Sequence, residues 1–525
     1  VEARIRLQDV SGSVRFIEAA PHLTLAQVLF LESLWPKGAF CAGLGRCGLC
    51  AVRFIASVPA SSPEDQAVFS EARLARGWRL ACRRQALPGM EVELPFDFPP
   101  VRMPTPLSAF VREPQGALSL AVDLGTTSVQ WRLDDEVGTL AGGQDLNPQL
   151  AAGSEVMSRL RFALQHPGNA RMLQGVVLRW LEPLARAWPR PVDRICVAGN
   201  SVMTALLLGW PLEGLAKAPY SLPHPAGFWT KPAPDWPEVY IPPLIAPFIG
   251  ADVSAGLAWI HFAQGDALRY PFLLADMGTN GEFLLALKPG ECLGASVPLG
   301  PALEGIGMSH GSAALPGVWV DFRLAAGGLA PKTLPGEIFS PLQAAPRISG
   351  TGYLSLLARL REIGLLDATG RFVPGDNPLA RRLGAGLEET AAGKRLALGR
   401  GVFFTGRDAE ELLKVKAAFN LAFSRLLAEA GLKPDDVQTV YLAGALGEHV
   451  RLAALEELGF VPPGMQPRIC ALGNTSLAGA ALLVRSAQAR AWIEALAPKI
   501  RVLPIGQERD FFTQYVQRLV FTYVA

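Results

Sequence analysis

Leu120-Ala-Val-Asp123-Leu-Gly125-Thr126-Thr127 and Leu274-Ala-Asp276-Met-Gly278-Thr279-Asn280 are two copies of one pattern, an Asp-x-Gly-Thr core displaced by 153 residues. In each, an apolar run reads as a strand that ends on an aspartate and turns at a glycine followed by a threonine. A single copy would be an ordinary hairpin turn. Two copies, each after an apolar strand, predict two related halves facing one cleft. Such turns offer backbone N–H and hydroxyl donors to a polyphosphate, while a carboxylate orders magnesium through water. Gly125, Thr126, Thr127, Gly278, Thr279 and Asn280 are therefore candidate phosphate contacts, with Asp123 and Asp276 organising Mg2+.

Working outward, the chain beyond residue 117 alternates apolar strand-like runs with helical stretches, which predicts an α/β architecture. Val440-Tyr-Leu-Ala-Gly444-Ala445-Leu-Gly447 reads as a strand running into glycines, and Gly473-Asn474 follows another strand-like run. Gly473 and Asn474 are candidate adenine contacts, with a plain turn as the alternative. Asp408-Ala-Glu-Glu411 reads as a capping box before a helix over residues 412–427 that stops at Gly431. Lys416 within it reads as a snorkelling side chain rather than a phosphate ligand. Glu304, ahead of Gly305, is a candidate for positioning water or a ribose, and a helix-start carboxylate explains it equally well. His310 and His449 sit beside glycine motifs without a second ligand nearby in sequence. No Gly-x4-Gly-Lys-[Ser/Thr] occurs, which excludes a P-loop ATPase.

Four of the seven cysteines precede residue 95: Cys41-Ala-Gly-Leu-Gly45-Arg-Cys47-Gly48-Leu-Cys50, then Cys82 after 31 intervening residues. Structural zinc takes paired Cys-x2-Cys or His-bearing arms, and only one such pair, Cys47 and Cys50, is present. The plant-type 2Fe-2S spacing fits better, although five residues separate the first two ligands here where that pattern has four. Gly43, Gly45 and Gly48 let backbone N–H groups turn toward cluster sulfides. The loop also satisfies Gly-x-Gly-x-x-Gly, but no strand-to-helix unit surrounds it, so dinucleotide binding there is rejected. Residues 3–9 and 13–18 read as a hairpin about Ser11-Gly-Ser13, Thr24 caps a helix over residues 25–34, and residues 51–56 and 91–94 supply strands. Together they make a small α+β, ferredoxin-like (β-grasp) domain.

With 525 residues and 50% hydrophobic content, the chain is expected to form two to four domains. Lys+Arg 49 against Asp+Glu 47 gives a net charge of +2 without long runs, so neither a nucleic-acid field nor a polybasic membrane patch is present. No apolar run approaches the ~18 residues of a membrane helix, and no signal pattern opens the chain, so a soluble, cytoplasmic protein is expected. Cys196, Cys292 and Cys470 stand alone and read as buried small apolar residues. Six prolines from Pro95 to Pro114 mark a semi-rigid connector. The expected organisation is a cluster domain at 1–94, a Pro-rich linker at 95–116, and lobes at 117–265 and 266–525.

Ala121-Val-Asp-Leu-Gly-Thr-Thr127 resembles the first phosphate motif, and Ala275-Asp-Met-Gly-Thr-Asn-Gly-Glu282 the second, of the acetate/sugar kinase, heat-shock chaperone and actin superfamily. Leu442-Ala-Gly444-Ala445-Leu-Gly447 resembles its adenosine motif, which implies Gly444, Ala445 and Gly447 as nucleotide contacts. With a cysteine-ligated domain on the same chain, the whole resembles the ATP-dependent reductive activators of corrinoid proteins. Further matches are Asn147-Pro-Gln149, Gly199-Asn200-x-x-Met203, Gly250-Ala-Asp252, Gly300-Pro-Ala-Leu-Glu304-Gly305 and Gly473-Asn-Thr-Ser-Leu-x-Gly479-Ala480. The chain departs from the family's pattern at Gly153-Ser-Glu155, at Thr204-Ala205 and at Ala295-Ser-Val-Pro-Leu-Gly300.

The resemblance implies a two-lobed actin-like ATPase behind a 2Fe-2S domain, with Cys41, Cys47, Cys50 and Cys82 as cluster ligands and ATP and Mg2+ in the cleft. Asp252 is then a candidate for orienting water. It also implies a corrinoid (cobalamin-binding) protein as partner, whose Co(II) is returned to Co(I), an upstream low-potential electron donor, and a homodimer. Plant-type clusters lie near roughly −400 mV, so a more negative acceptor makes the transfer uphill and gives ATP its task. Two alternatives remain: a small-molecule kinase with a redox-sensing cluster, and an electron-transfer module whose nucleotide lobe binds without hydrolysing.

Overall fold

The computed structural model describes residues 4–35, 45, 48, 50–98, 112–153, 155–186, 188, 190–225, 227–232, 234–312, 314, 316–325, 327–335, 346–390, 393–444 and 450–525. Cys41, Cys47, Ala445, Gly447, His449 and residues 99–111 of the expected linker lie outside them.

Strands β1 (Arg4–Gln8) and β2 (Val14–Glu18) pair antiparallel, as the alternation around Ser11 predicts. Helix α1 (Leu25–Leu31) starts at a Thr24–Gln27 capping box and buries Leu25, Val28, Leu29 and Phe30. It ends earlier than expected, and Leu34 is buried outside it. Next come β3 (Ala51–Phe54), α2 (Pro63–Val68), β4 (Trp78–Leu80) and β5 (Glu91–Glu93). The sheet runs β2-β1-β5-β3-β4, with β5 parallel to β1 and every other pair antiparallel. This is the expected α+β, β-grasp arrangement.

Two larger sheets then repeat one topology. In the first, β6 (Ser119–Leu124), β7 (Ser128–Asp134) and β8 (Thr139–Leu146) form a meander, followed after α3 (Val156–Gln165) and α4 (Asn169–Arg186) by β9 (Arg194–Gly199), parallel to β6. After α5 (Ser201–Leu208), β10 (Phe228–Thr230) and β11 (Glu238–Ile241) complete the order β8-β7-β6-β9-β11-β10, and α6 (Ala251–Gln264) leaves the sheet. In the second, β12 (Phe272–Met277), β13 (Asn280–Lys288) and β14 (Glu291–Pro298) form the matching meander. Helices α7 (Gly350–Glu362) and α8 (Gly406–Ala430) precede β15 (Thr439–Ala443), and β16 (Ile469–Gly473), α9 (Thr475–Arg485) and β17 (Arg501–Leu503) follow, giving β16-β15-β12-β13-β14-β17. A meander with two parallel strands added on the side of its first strand occurs in both, so the sequence repeat is a structural repeat.

Helices α6 and α9 cross in direct contact. A Cβ on Gly479 would lie 2.0 Å from the Ala255 carbonyl, so only glycine permits the approach. The cluster domain rests on the first lobe: Gln27 Nε2 donates to the Ala151 carbonyl at 3.3 Å, His22 Nε2 lies 3.2 Å from Asn169 Oδ1, and the His22 and His166 rings stack at 4.1 Å. Both described ends of the connector are pinned. Phe98 N donates to Asp9 Oδ2 at 3.1 Å, and Arg112 forms a two-pronged ion pair with buried Asp135.

Three expectations need correction. The capping box of α8 is Thr405 with Asp408, whose groups exchange hydrogen bonds at 2.9 and 3.2 Å, so the helix starts at Gly406 rather than after Glu411. Lys416 does not snorkel. It is fully buried and donates to the carbonyls of Arg518 and Thr522, because the C-terminal segment covers that face of α8, and burial depresses its amine to about 7. Cys196 and Cys292 are buried as expected, whereas Cys470 is only half-buried. Among the described residues no helix is long and apolar enough to cross a membrane.

Candidate functional site

Each Asp-x-Gly-Thr copy forms the hairpin turn of its meander. The first joins β6 to β7, and its carbonyls are tied back by groups from behind it. Asn147 Nδ2 donates to Gly125 O at 2.6 Å, Arg159 Nη2 to Thr126 O at 2.8 Å, and Asn147 N to Thr127 O at 2.8 Å. Asn200, the N-cap of α5, donates to the Thr126 hydroxyl at 2.9 Å. Asp123 at the end of β6 accepts from Asn474 Nδ2 at 2.7 Å and Ser476 Oγ at 2.8 Å. Both donors belong to the start of α9, so a motif 351 residues away closes onto the first aspartate. Asn474 therefore points at Asp123 while also capping α9.

The second turn joins β12 to β13 and is held by its own backbone: Leu299 N and Gly300 N donate to Thr279 O at 3.2 and 2.9 Å, and Gly278 N to Asn280 O at 3.0 Å. No side-chain donor among the described residues reaches Asp276. Register explains what it faces instead, because Asp276 pairs with Glu282 across the hairpin and with Ala443 of β15. Gly444, at φ +78, presses on it, and a Cβ there would lie 2.6 Å from Asp276 Oδ1.

Glu304 spans the two turns. It closes a short 3-10 turn, Pro301–Glu304, and accepts from the Thr127 hydroxyl of one lobe and, at 2.8 Å, from the Thr279 hydroxyl of the other. Burial raises its carboxyl, offset in part by those hydroxyls and by Arg159. It is thus a bridge between the lobes rather than a simple helix-start carboxylate.

Around this bridge carboxylates crowd. Burial, aggravated by Asp252 and Asp123, pushes Asp276 up to about 8. Burial and the charge of Asp123 push Asp252, in the first turn of α6, up to about 7 against a hydrogen bond from Val253 N. Glu282 is buried and raised well above its ordinary value by burial and by Asp252 and Asp276. Asp123 is raised by burial while Asn474 and Ser476 pull it down. Such mutual repulsion in a desolvated cleft is relieved by protons or by a cation. Glu282 was missed as a site residue; its signal was its distance from Asp276 across a tight turn, which sets the two side by side.

The cysteine loop fits a cluster where it is described. Cys50 immediately precedes β3 and Cys82 follows β4 by two residues; Ala51 pairs with Leu80, and Ala81 N donates to Cys50 O at 2.9 Å, so the ladder brings both to one end of the sheet. Gly45 and Gly48 have φ of +72 and +69, and a Cβ on either would lie 3.0 Å from Glu64 Cβ or Val68 Cγ1 of α2. At Gly45 and Gly48 the backbone is therefore drawn tight against α2. Asp65, fully buried, fixes α2 in place by accepting from Leu80 N at 2.8 Å and pairing with Arg84. It also closes the Ser62-x-x-Asp65 capping box of α2, a local pattern that gives no sign of its burial.

Three family models match the chain: the 2Fe-2S iron-sulfur cluster binding domain at residues 8–87, the RACo middle region at 118–264, and the C-terminal domain of RACo, the ASKHA domain, at 271–524. The corrinoid activation enzyme RamQ of Eubacterium limosum is 25% identical over 435 residues, covering 77% of this chain and 70% of the relative. The Methanosarcina barkeri protein named as a Co(II) methylated amine-specific corrinoid protein reductase is 28% identical over 405 residues, covering 70% of this chain and 69% of its own. Among solved structures, a reductive activator for corrinoid, iron-sulfur protein superposes with a TM-score of 0.66 at 21% identity over 98% of each chain.

Proposed function

The chain belongs to the RACo family, and from that premise we propose that it is an ATP-dependent reductive activator, passing one electron from a 2Fe-2S cluster to the Co(II) of a corrinoid protein to give Co(I). The observation that carries this reading is the meeting of Thr127 and Thr279, one from each lobe, on the single carboxylate of Glu304. Two donor-bearing turns aimed at one anionic group are what a polyphosphate between two lobes requires. The names of the two curated relatives supply the acceptor.

The roles follow. Cys41, Cys47, Cys50 and Cys82 hold the cluster, which when bound supplies a one-electron carrier. Thr126, Thr127, Thr279 and Asn280 hold phosphates, and Gly444, Ala445, Gly447, Gly473 and Asn474 border the nucleoside. Among the described residues no three carboxylate, histidine or cysteine groups converge as a direct metal cage. Magnesium would accordingly sit on Asp276 and Asp123 through water and on phosphate oxygens, as this strongly hydrated ion usually does. Asp252 orients water. Binding or hydrolysis, felt across the α6–α9 crossing, changes affinity for the partner, since coupling works only through differential binding to two states. A homodimer supplied by a low-potential donor completes the proposal.

The test is anaerobic mixing of the reduced chain with a corrinoid protein co-purified from native extract. The Co(II) absorption band should disappear only with ATP present. No ATP hydrolysis, with or without the partner, would sink the mechanism; net phosphorylation of a small molecule would favour the kinase reading. Cys82→Ser should abolish reduction while nucleotide binding persists.

A further inference from the structure

The collar behind the first turn is unlike anything behind the second. Asn147 and Arg159 tie back the carbonyls of Gly125, Thr126 and Thr127, three consecutive peptide groups, at 2.6 to 2.8 Å. In a trans peptide the C=O and the following N–H point in opposite directions. Carbonyls held inward therefore turn the Thr126 and Thr127 amides outward, away from Asn147 and Arg159.

Arg159 has a second property. It is fully buried on α3, and its contacts are the carbonyls of Thr126 and Gly153 and the Met203 sulfur at 3.0 Å; its Nε is buried without a partner. No ion pair among the described residues neutralises it. An unpaired buried guanidinium is costly, and the anions that feel it, Glu304 and Glu155, act at a distance. A positive charge placed under an amide-lined turn favours an anion on that turn.

We infer that Arg159 and Asn147 are positioning residues that shape the first turn for a nucleoside polyphosphate, acting on its phosphates and not on its base or sugar. The inference rests on the nucleotide reading above. Arg159 lies within the segment that follows Gly153-Ser-Glu155 and carries no motif of its own; Asn147 belongs to Asn147-Pro-Gln149, whose role the sequence left open.

The experiment is calorimetric titration of the full chain with ADP and, separately, with adenosine. In Arg159→Met, ADP affinity should fall about tenfold or more, the size of a lost charged hydrogen bond, while adenosine affinity stays unchanged. Arg159→Lys, which keeps the charge but not the fork, should fall between the two. Asn147→Asp, which cannot donate to Gly125 O, should also weaken ADP alone, and it decides the matter if Arg159→Met does not fold. Equal losses for ADP and adenosine, or unchanged ADP binding, would overturn the inference while leaving the nucleotide reading intact. A wild-type chain that binds neither ligand would sink both.

Discussion

The two aspartate turns hold equivalent places in two sheets that share a five-strand core, yet they are stabilised by opposite means. Asp123 receives two side-chain donors and its turn is tethered by side chains from other elements, whereas Asp276 receives none from the described residues and its turn is tethered by neighbouring backbone. The cross-strand partner sharpens the contrast: Asp123 faces Gln130, and Asp276 faces Glu282. The first copy is satisfied as it stands, while the second is an electrostatic deficit awaiting a proton or a cation. A duplicated motif has thus divided into a fixed half and a responsive half.

The largest effect is expected at the responsive half. Asp276→Asn should lower ATP-driven corrinoid reduction by about 100-fold or more, as loss of a charge-organising group does, yet raise the melting temperature of the nucleotide-free chain. The pH dependence has a definite sign. A carboxyl at about 8 in the folded chain binds its proton more tightly than the unfolded chain at 3.8, so stability is greatest below the lower value and is lost as pH rises toward the higher. Calorimetric scans across that window should slope downward for the wild type and less steeply in Asp276→Asn, where Asp252 and Glu282 still contribute; a lower melting temperature in the variant would break the comparison.

Gly444→Ala, which meets Asp276 Oδ1 at a positive φ, should destabilise by about 1–3 kcal/mol on strain alone and impair turnover. Urea titration and ATPase assay measure the two effects. Asp123→Asn should destabilise as well, by about 1–3 kcal/mol at most, because an amide can satisfy only one of the donors Asn474 and Ser476. Opposite signs for the two aspartates are the heart of the comparison, and equal signs in urea would refute it. The smallest effect belongs to Glu282→Gln, which recreates the pair of the first half and should stabilise the nucleotide-free chain by about 0.2–1 kcal/mol.

What was legible in the sequence was local. The alternation of β1 and β2, the Thr24 cap and the paired turns each depend on residues a few positions apart, and each forms as expected. The cysteine spacing pointed to the 2Fe-2S domain that residues 8–87 match. What escaped was set by distant chain. Helical periodicity placed Lys416 on a face of α8 without revealing that residues 518–522 cover that face. Asn474 looked like an adenine contact, and its tie to Asp123 exists only because α9 returns to β6. Arg159 carries no local pattern and Asp65 only that of a helix cap, and both are buried by packing that no short window encodes.

The β3–β4 ladder bears on how the redox domain is assembled. Cys50 and Cys82 are brought together by paired backbone, across 31 residues of chain. The hydrogen bonds of that ladder therefore offset the entropy of closing the loop. A small zinc module takes its fold from its ion, whereas in this domain the hydrogen-bonded ladder itself sets Cys50 beside the end of the strand that leads to Cys82, so the sheet and not the metal alone defines half of the expected ligand set.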